Sequence, residues 1–142
     1  MYTLTEIFNL IEAEATAHLQ VKQYGRGDIW EIDPKELDYC VLWVLEESSQ
    51  VTERTLTYNI RFLCMDRVLP AEENENEVLS DTLSILLDFV AYFRQLHTTS
   101  LSIQTSVSLE PFTERFEDKV SGHGMVLSIT QPYAYDKCQI PI

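Results

Sequence analysis

The chain has 142 residues, 45% of them hydrophobic and 23% charged, the balance of one soluble globular domain large enough to bury a core. Its 10 Lys and Arg stand against 23 Asp and Glu, a formal net charge of −13, which excludes a protein that grips nucleic acid by charge, since affinity for phosphates comes from Lys and Arg. Neither a basic segment leading into an apolar one nor an apolar run long enough to cross a bilayer occurs, so no export signal and no membrane partner are expected.

The first helix is announced by its start. Thr3 followed by Glu6 is a capping box, and Tyr2 and Ile7 stand where a hydrophobic staple closes. Leu4, Ile7, Phe8, Ile11, Ala15 and Leu19 then share one face, so the spacing predicts a helix to about Gln20, with His18 at its C-terminal, dipole-negative end. Gly25-Arg26-Gly27-Asp28 breaks the chain, and Asp33-Pro34 marks a second turn, with a short edge strand over 29–32 between them. The two glycines lack the Gly-Lys-Ser/Thr continuation of a phosphate loop.

Residues 39–46 form an apolar run of β-formers, and 54–65 alternate Leu56, Tyr58, Ile60, Phe62 and Cys64 with polar neighbours. The pair predicts an antiparallel hairpin whose polar tip, 47–53, is longer than a tight turn and projects from the body. Residues 66–76, with Glu72, Glu73 and Asn74, read as a second solvated loop ending at Asn76, a helix cap.

The element on which the fold depends is residues 77–97, free of Gly and Pro. Leu79, Leu83, Leu86, Val90 and Phe93 make one apolar stripe, Ile85, Phe89, Tyr92 and Leu96 a second, and Leu87 widens the face. That face exceeds what one sheet needs, so part of it is expected to meet another subunit. Residues 101–109 alternate Leu101, Ile103, Thr105, Val107 and Leu109 with Ser102, Gln104, Ser106 and Ser108, predicting a strand with one core face and one small polar face. Residues 110–124 read as a long connection in which Phe112 and Phe116, four apart, suggest a helical turn. A last strand over 125–130 ends at Pro132, and the tail 131–142, with Tyr133, Tyr135, Ile140 and Ile142, is expected to dock on its own domain or on a neighbour.

Chemistry is sparse. Cys40, Cys64 and Cys138 show no zinc spacing, the acidic loop lacks the Gly of a calcium site, and His18, His97 and His123 stand apart from one another in the sequence. No Gly-x-Ser-x-Gly elbow occurs. The expectation is a protein that is not an enzyme, with no metal, no cofactor and no disulfide. The predicted architecture is one α+β domain over 1–142, an antiparallel sheet of about four strands packed against the long helix and the N-terminal helix.

The phrases NENEVLSDTLSILLDFVAYF, PFTERFEDKVSGHGMVLSI and the ending YDKCQIPI, taken in that order, resemble small tail-region proteins of phages infecting Bacteroidetes, including the crAss-like group. The element order is similar to that of the tail-terminator and neck-ring proteins of tailed bacteriophages. The chain departs from the pattern at His123, where a Trp is usual after the Gly. The resemblance covers most of residues 56–142. It implies a virion protein, assembled in the host cytoplasm, that forms a sixfold or twelvefold homo-oligomeric ring joined to portal, neck or tail-tube proteins, with DNA passing through and no sequence-specific binding. Under that reading Glu47, Ser48, Ser49, Gln50, Glu72, Glu73 and Asn74 are candidates for contacts along the ring axis. Phe112, Phe116, Tyr133, Tyr135, Ile140 and Ile142 are candidates for the remaining interface, the tail residues for lateral contacts. A reading from another class is an acidic DNA mimic that blocks a host nucleic-acid-binding enzyme. Such mimics spread carboxylates at phosphate-like spacing, whereas here the acids cluster in loops.

Overall fold

The capping box at Thr3 forms as its spacing predicts. Thr3 is extended (φ −78°, ψ 164°), its hydroxyl accepts the Glu6 N–H at 3.2 Å, and it donates to the Glu6 carboxylate at 3.2 Å. Helix α1 (Leu4–Ala17) buries Ile7, Phe8, Ile11 and Ala15, and stops before the expected Gln20. His18 is extended there, and its N–H returns to the carbonyls of Glu14 and Ala15. Leu19, expected on the apolar face, is instead 92% exposed beyond the helix. In this computed structural model the described residues are 2–27, 40–67, 75–96, 101–115 and 120–133. The expected strand over 29–32, most of the acidic loop, with Glu72, Glu73 and Asn74, and Phe116, Tyr135, Cys138, Ile140 and Ile142 lie outside them.

Among the described residues the sheet has six strands rather than about four, in the order β1 (Gln23–Arg26), β2 (Val41–Val51), β3 (Thr55–Arg67), β6 (Val120–Pro132) and β4 (Ser102–Ile103). Strand β5 (Glu110–Arg115) shares with β4 the edge of β6 that β3 leaves open. All pairings are antiparallel except β1 with β2. Strand β1 falls where Gly25 and Gly27 read as a break. Gly25 is there because Trp43 lies across the strand: a Cβ at Gly25 would come within 2.1 Å of the Trp43 ring. The indole N–H donates to the Gly27 carbonyl at 2.9 Å, and Gly27 supplies a φ of 130° that other residues rarely adopt.

The hairpin forms, but its expected tip does not. Residues 47–51 continue β2, paired from Ser48↔Asn59 to Val51↔Leu56 after a bulge between Glu46 and Ser48. The turn itself is tight. Thr52 N–H donates to the Thr55 carbonyl at 2.8 Å, the two hydroxyls are 2.7 Å apart, and Thr55 N–H donates to Thr52 Oγ1 at 3.0 Å. Polar composition suggested a loop here, and cross-strand pairing of polar side chains overrides it.

Both helices contribute to one core on one face of the sheet. Helix α2 (Glu75–Arg94) begins before Asn76, which is therefore inside the helix and not its cap. Leu86, Val90 and Phe93 are buried against Leu42, Val44, Ile60, Phe62, Met125, Leu127 and Ile129. The second stripe is largely consumed inside the subunit: Ile85 and Phe89 are buried in the same core, and His18 stacks on Phe89 with ring centroids 6.3 Å apart. His18 Nε2 also reaches Asp88 Oδ2 at 2.8 Å, joining the end of α1 to α2. Among the described residues of α2, Leu87 is the large apolar side chain left exposed, at 48%. The surplus face expected for a neighbour is thus mostly covered by the chain itself.

The strand expected over 101–109 is present only as β4. Its alternation survives in part, with Leu101 buried and Ile103, Val107 and Leu109 packed on the core, whereas Thr105, expected on the same face, is exposed. Pairing to β6 stops after Ile103 because the chain bows away: eight positions on from Ser102 its partner has moved only six, from Thr130 to Gly124. In the gap the Gln104 side chain takes the place of a strand. Its amide donates to the Val126 carbonyl at 2.7 Å and accepts the Ser128 N–H at 2.9 Å. The helical turn expected around Phe112 is strand β5, which pairs Glu110↔Gly124, Pro111↔His123 and Phe112↔Gly122.

Candidate interaction surface

Alternation along β3 and β6 sends Tyr58, Ile60, Phe62, Met125, Leu127 and Ile129 toward the helices. Their neighbours point to the opposite face, which is divided in two. Near β5 it is apolar, with Val41, Trp43, Leu63 and Met65 clustered together and Phe112 and Leu45 packed on them. Toward the hairpin turn it is neutral and polar. Register brings Asn59 opposite Ser128 and Thr57 opposite Thr130. Ser128 donates to Asn59 Oδ1 at 2.6 Å, Asn59 Nδ2 donates to Ser48 Oγ at 2.9 Å, and the Thr57 and Thr130 hydroxyls are 3.0 Å apart. These side chains form a ladder of hydroxyl and amide dipoles across three strands.

Arg61, the basic residue beside the ladder, is paired. Its Nε donates to Glu47 Oε1 at 2.6 Å. Beside the ladder a groove of about 280 Å³ opens between β6 and the bowed segment, lined by Arg61, Gln104, Ser106, Ser108, Glu110 and Ser128. A serine nucleophile needs an adjacent base. Yet His18 binds Asp88 at the end of α1, and His123 faces α2, both away from these hydroxyls. The groove sets the Arg61 and Glu110 side chains among hydroxyls and the Gln104 amide. Among the described residues no three His, Cys, Asp or Glu side chains gather as a metal ion requires, and no helix is long and apolar enough to cross a membrane.

His123 has a structural partner. Thr82, fully buried on α2, gives its hydroxyl proton to the Val78 carbonyl at 2.8 Å. The hydroxyl can then accept from His123 Nδ1, 3.1 Å away, which selects the neutral tautomer protonated at Nδ1. Burial holds the His123 imidazole below its ordinary value.

Of the candidate interface residues, Glu47, Ser48, Ser49 and Gln50 line the outer half of β2, all exposed. Tyr133 joins them at the same end of the sheet, where its N–H donates to the Arg54 carbonyl at 2.7 Å. Phe112 is elsewhere, on the apolar part of the far face. Sequence reading missed Thr57, Asn59, Ser128 and Thr130 as a surface. Their alternation was visible strand by strand, but the register that unites them spans some seventy residues. No family model matches the chain, and no curated protein matches it.

Proposed function

We propose that this chain is a structural virion protein whose copies form a ring at the neck or tail of a tailed phage, a tail terminator or head-to-tail joining ring through which DNA passes. Beside the sequence resemblance, the observation that supports it is the neutral polar half of the sheet face opposite the helices. A wall past which a duplex slides must not hold phosphates, and holding them takes unpaired Lys or Arg. Here hydroxyls and amides satisfy one another, Arg61 is bound by Glu47, and the chain as a whole repels polyanions with its charge of −13. The end of the sheet at Gln50, Val51 and Tyr133 is the candidate contact with a second copy, with Val51 62% exposed there.

The test is assembly. Size-exclusion chromatography with light scattering, repeated with portal, neck or tail-tube proteins added, should give a closed ring under at least one of these conditions. Val51→Glu should reduce ring formation and leave the monomer's melting curve unchanged. Particles made without functional protein should have filled heads and tails that are missing, detached or irregular in length. Normal infectious particles from such a knockout would overturn the reading.

A further inference from the structure

Two thiols meet where β2 begins. Cys40 is half-buried in the bend just before β2, and Cys64 is fully buried within β3. Register places Leu42 opposite Cys64, so Cys40, two residues earlier on the same face, is its diagonal neighbour. Their Sγ atoms are 3.7 Å apart, and both are free thiols. Cys40 also lines an open cavity of about 320 Å³ together with Lys22, Asp66 and Asp81. One sulfur can be reached from solvent, and the other only through the first.

We propose that Cys40 and Cys64 are a reversible oxidation site, a dithiol that small cationic disulfides convert to an intramolecular disulfide. Cys40 attacks first, because the cavity reaches it. Its thiolate bonds to one sulfur of the reagent, the reagent's S–S bond breaks, and one reagent thiolate leaves. Cys64 then loses its proton to solvent and attacks Cys40 Sγ, expelling the second reagent thiolate. The two protein thiols give up two electrons, and one disulfide is reduced to two thiols. The hydrogen bond with Cys40, and then burial, push the Cys64 thiol well up, which makes it a poor first attacker. The mixed disulfide on Cys40 removes that hydrogen bond before Cys64 has to act.

Charge selects the reagent. Among the described residues lining the cavity Asp66 and Asp81 outnumber Lys22, on a chain of net charge −13, so a cationic disulfide is drawn in and an anionic one repelled. Bond formation must bring the sulfurs to about 2.05 Å, and Cys40, in its bend, is the residue placed to move. Its carbonyl accepts the N–H groups of Lys22 at 2.9 Å and Gln23 at 3.3 Å, so the shift is passed to the start of β1.

The experiment uses the full chain carrying Cys138→Ser, treated with cystamine or with glutathione disulfide and read by intact mass and peptide mapping. Cystamine should link the Cys40 and Cys64 peptides, with the loss of the two thiol hydrogens, and dithiothreitol should reverse it. At low salt the rate with cystamine should exceed that with glutathione disulfide by on the order of tenfold, a ratio that shrinks as salt rises. Adding Cys64→Ala should halt the reaction at a cysteamine adduct on Cys40. Separate adducts without a link, equal rates for the two reagents, or Cys64 reacting at an unchanged rate when Cys40 is Ala would each overturn the proposal. If a second substitution prevents folding, the linked peptide and the rate ratio of the Cys138→Ser chain decide it.

Discussion

Replacing Gln104 with Ala removes the side chain that stands in for a strand along the open edge of β6. Two hydrogen bonds are lost, at 2.7 and 2.9 Å, and they leave the Val126 carbonyl and the Ser128 N–H without protein partners. Each such bond is worth about 0.5–1.5 kcal/mol net. Val126 and Ser128 are half-buried, so water recovers part of the loss, and the expected cost is about 1–2 kcal/mol. For a chain of this size that is a drop of roughly 3–7 °C in Tm. Urea melts should show a lower midpoint with an unchanged slope, since the compactness of neither state is altered. Amide exchange gives the sharper reading. Ser128 N–H donates to Gln104, whereas β6 keeps its full pairing to β3 on the other side, so Ser128 should lose protection while its β3-bonded neighbours keep theirs. Asn at this position is one methylene shorter and should behave as Ala does. A melt within about 0.5 kcal/mol of the parent, with Ser128 still protected, would refute the assignment.

Leu86 is fully buried between α2 and the sheet, so Leu86→Ala should cost about 2–5 kcal/mol in denaturant melts, and an unchanged midpoint would mean the stripe faces the wrong way. Burial lowers the folded-state pKa of His123, so the imidazole takes up its proton more readily in the unfolded chain than in the folded one. Its contribution is therefore fully present above about pH 6.5, the ordinary His value, and is lost as pH falls from there through the lower folded-state value. Melts of the parent and of His123→Gln between pH 5 and 8 should diverge with that sign, the parent losing ground as acid is added, whereas parallel curves would contradict it.

Local signals proved legible and long-range ones did not. The Thr3–Glu6 box, the Gly- and Pro-free helix and the alternation of β3 act over a few residues, and each appears where its spacing places it. Residues 101–109 show the boundary. Their apolar positions were read correctly and Thr105 was not, but whether an alternating segment pairs depends on its partner, and here Gln104 intercepts the edge of β6. Phe112 and Phe116 share the spacing of a helical turn, yet Phe112 belongs to a strand because the apolar patch around Trp43 lies beside it. Gly25 signalled a break for a similar reason: nothing near it in sequence reveals that an indole eighteen residues later needs its missing side chain. The polar ladder was hidden in the same way, in the register of β3 against a strand made some seventy residues later.

Strand β6 has a further consequence, in the order in which the fold can be completed. It lies at the centre of the sheet, bonded to β3 along its whole length and to β4 and β5 on its other side, yet it is the last of the six strands to be synthesised. Gln131, at its far end, closes on the backbone of Tyr2, with bonds of 2.7 Å in both directions. Until β6 leaves the ribosome, the β2–β3 hairpin has an unpaired strand edge thirteen residues long and an apolar face that α2 cannot fully cover. A chain cut anywhere between residues 67 and 120 keeps that exposed edge permanently. Such fragments should aggregate edge to edge rather than fold, and the intact chain should depend on being released before it meets another nascent copy of itself.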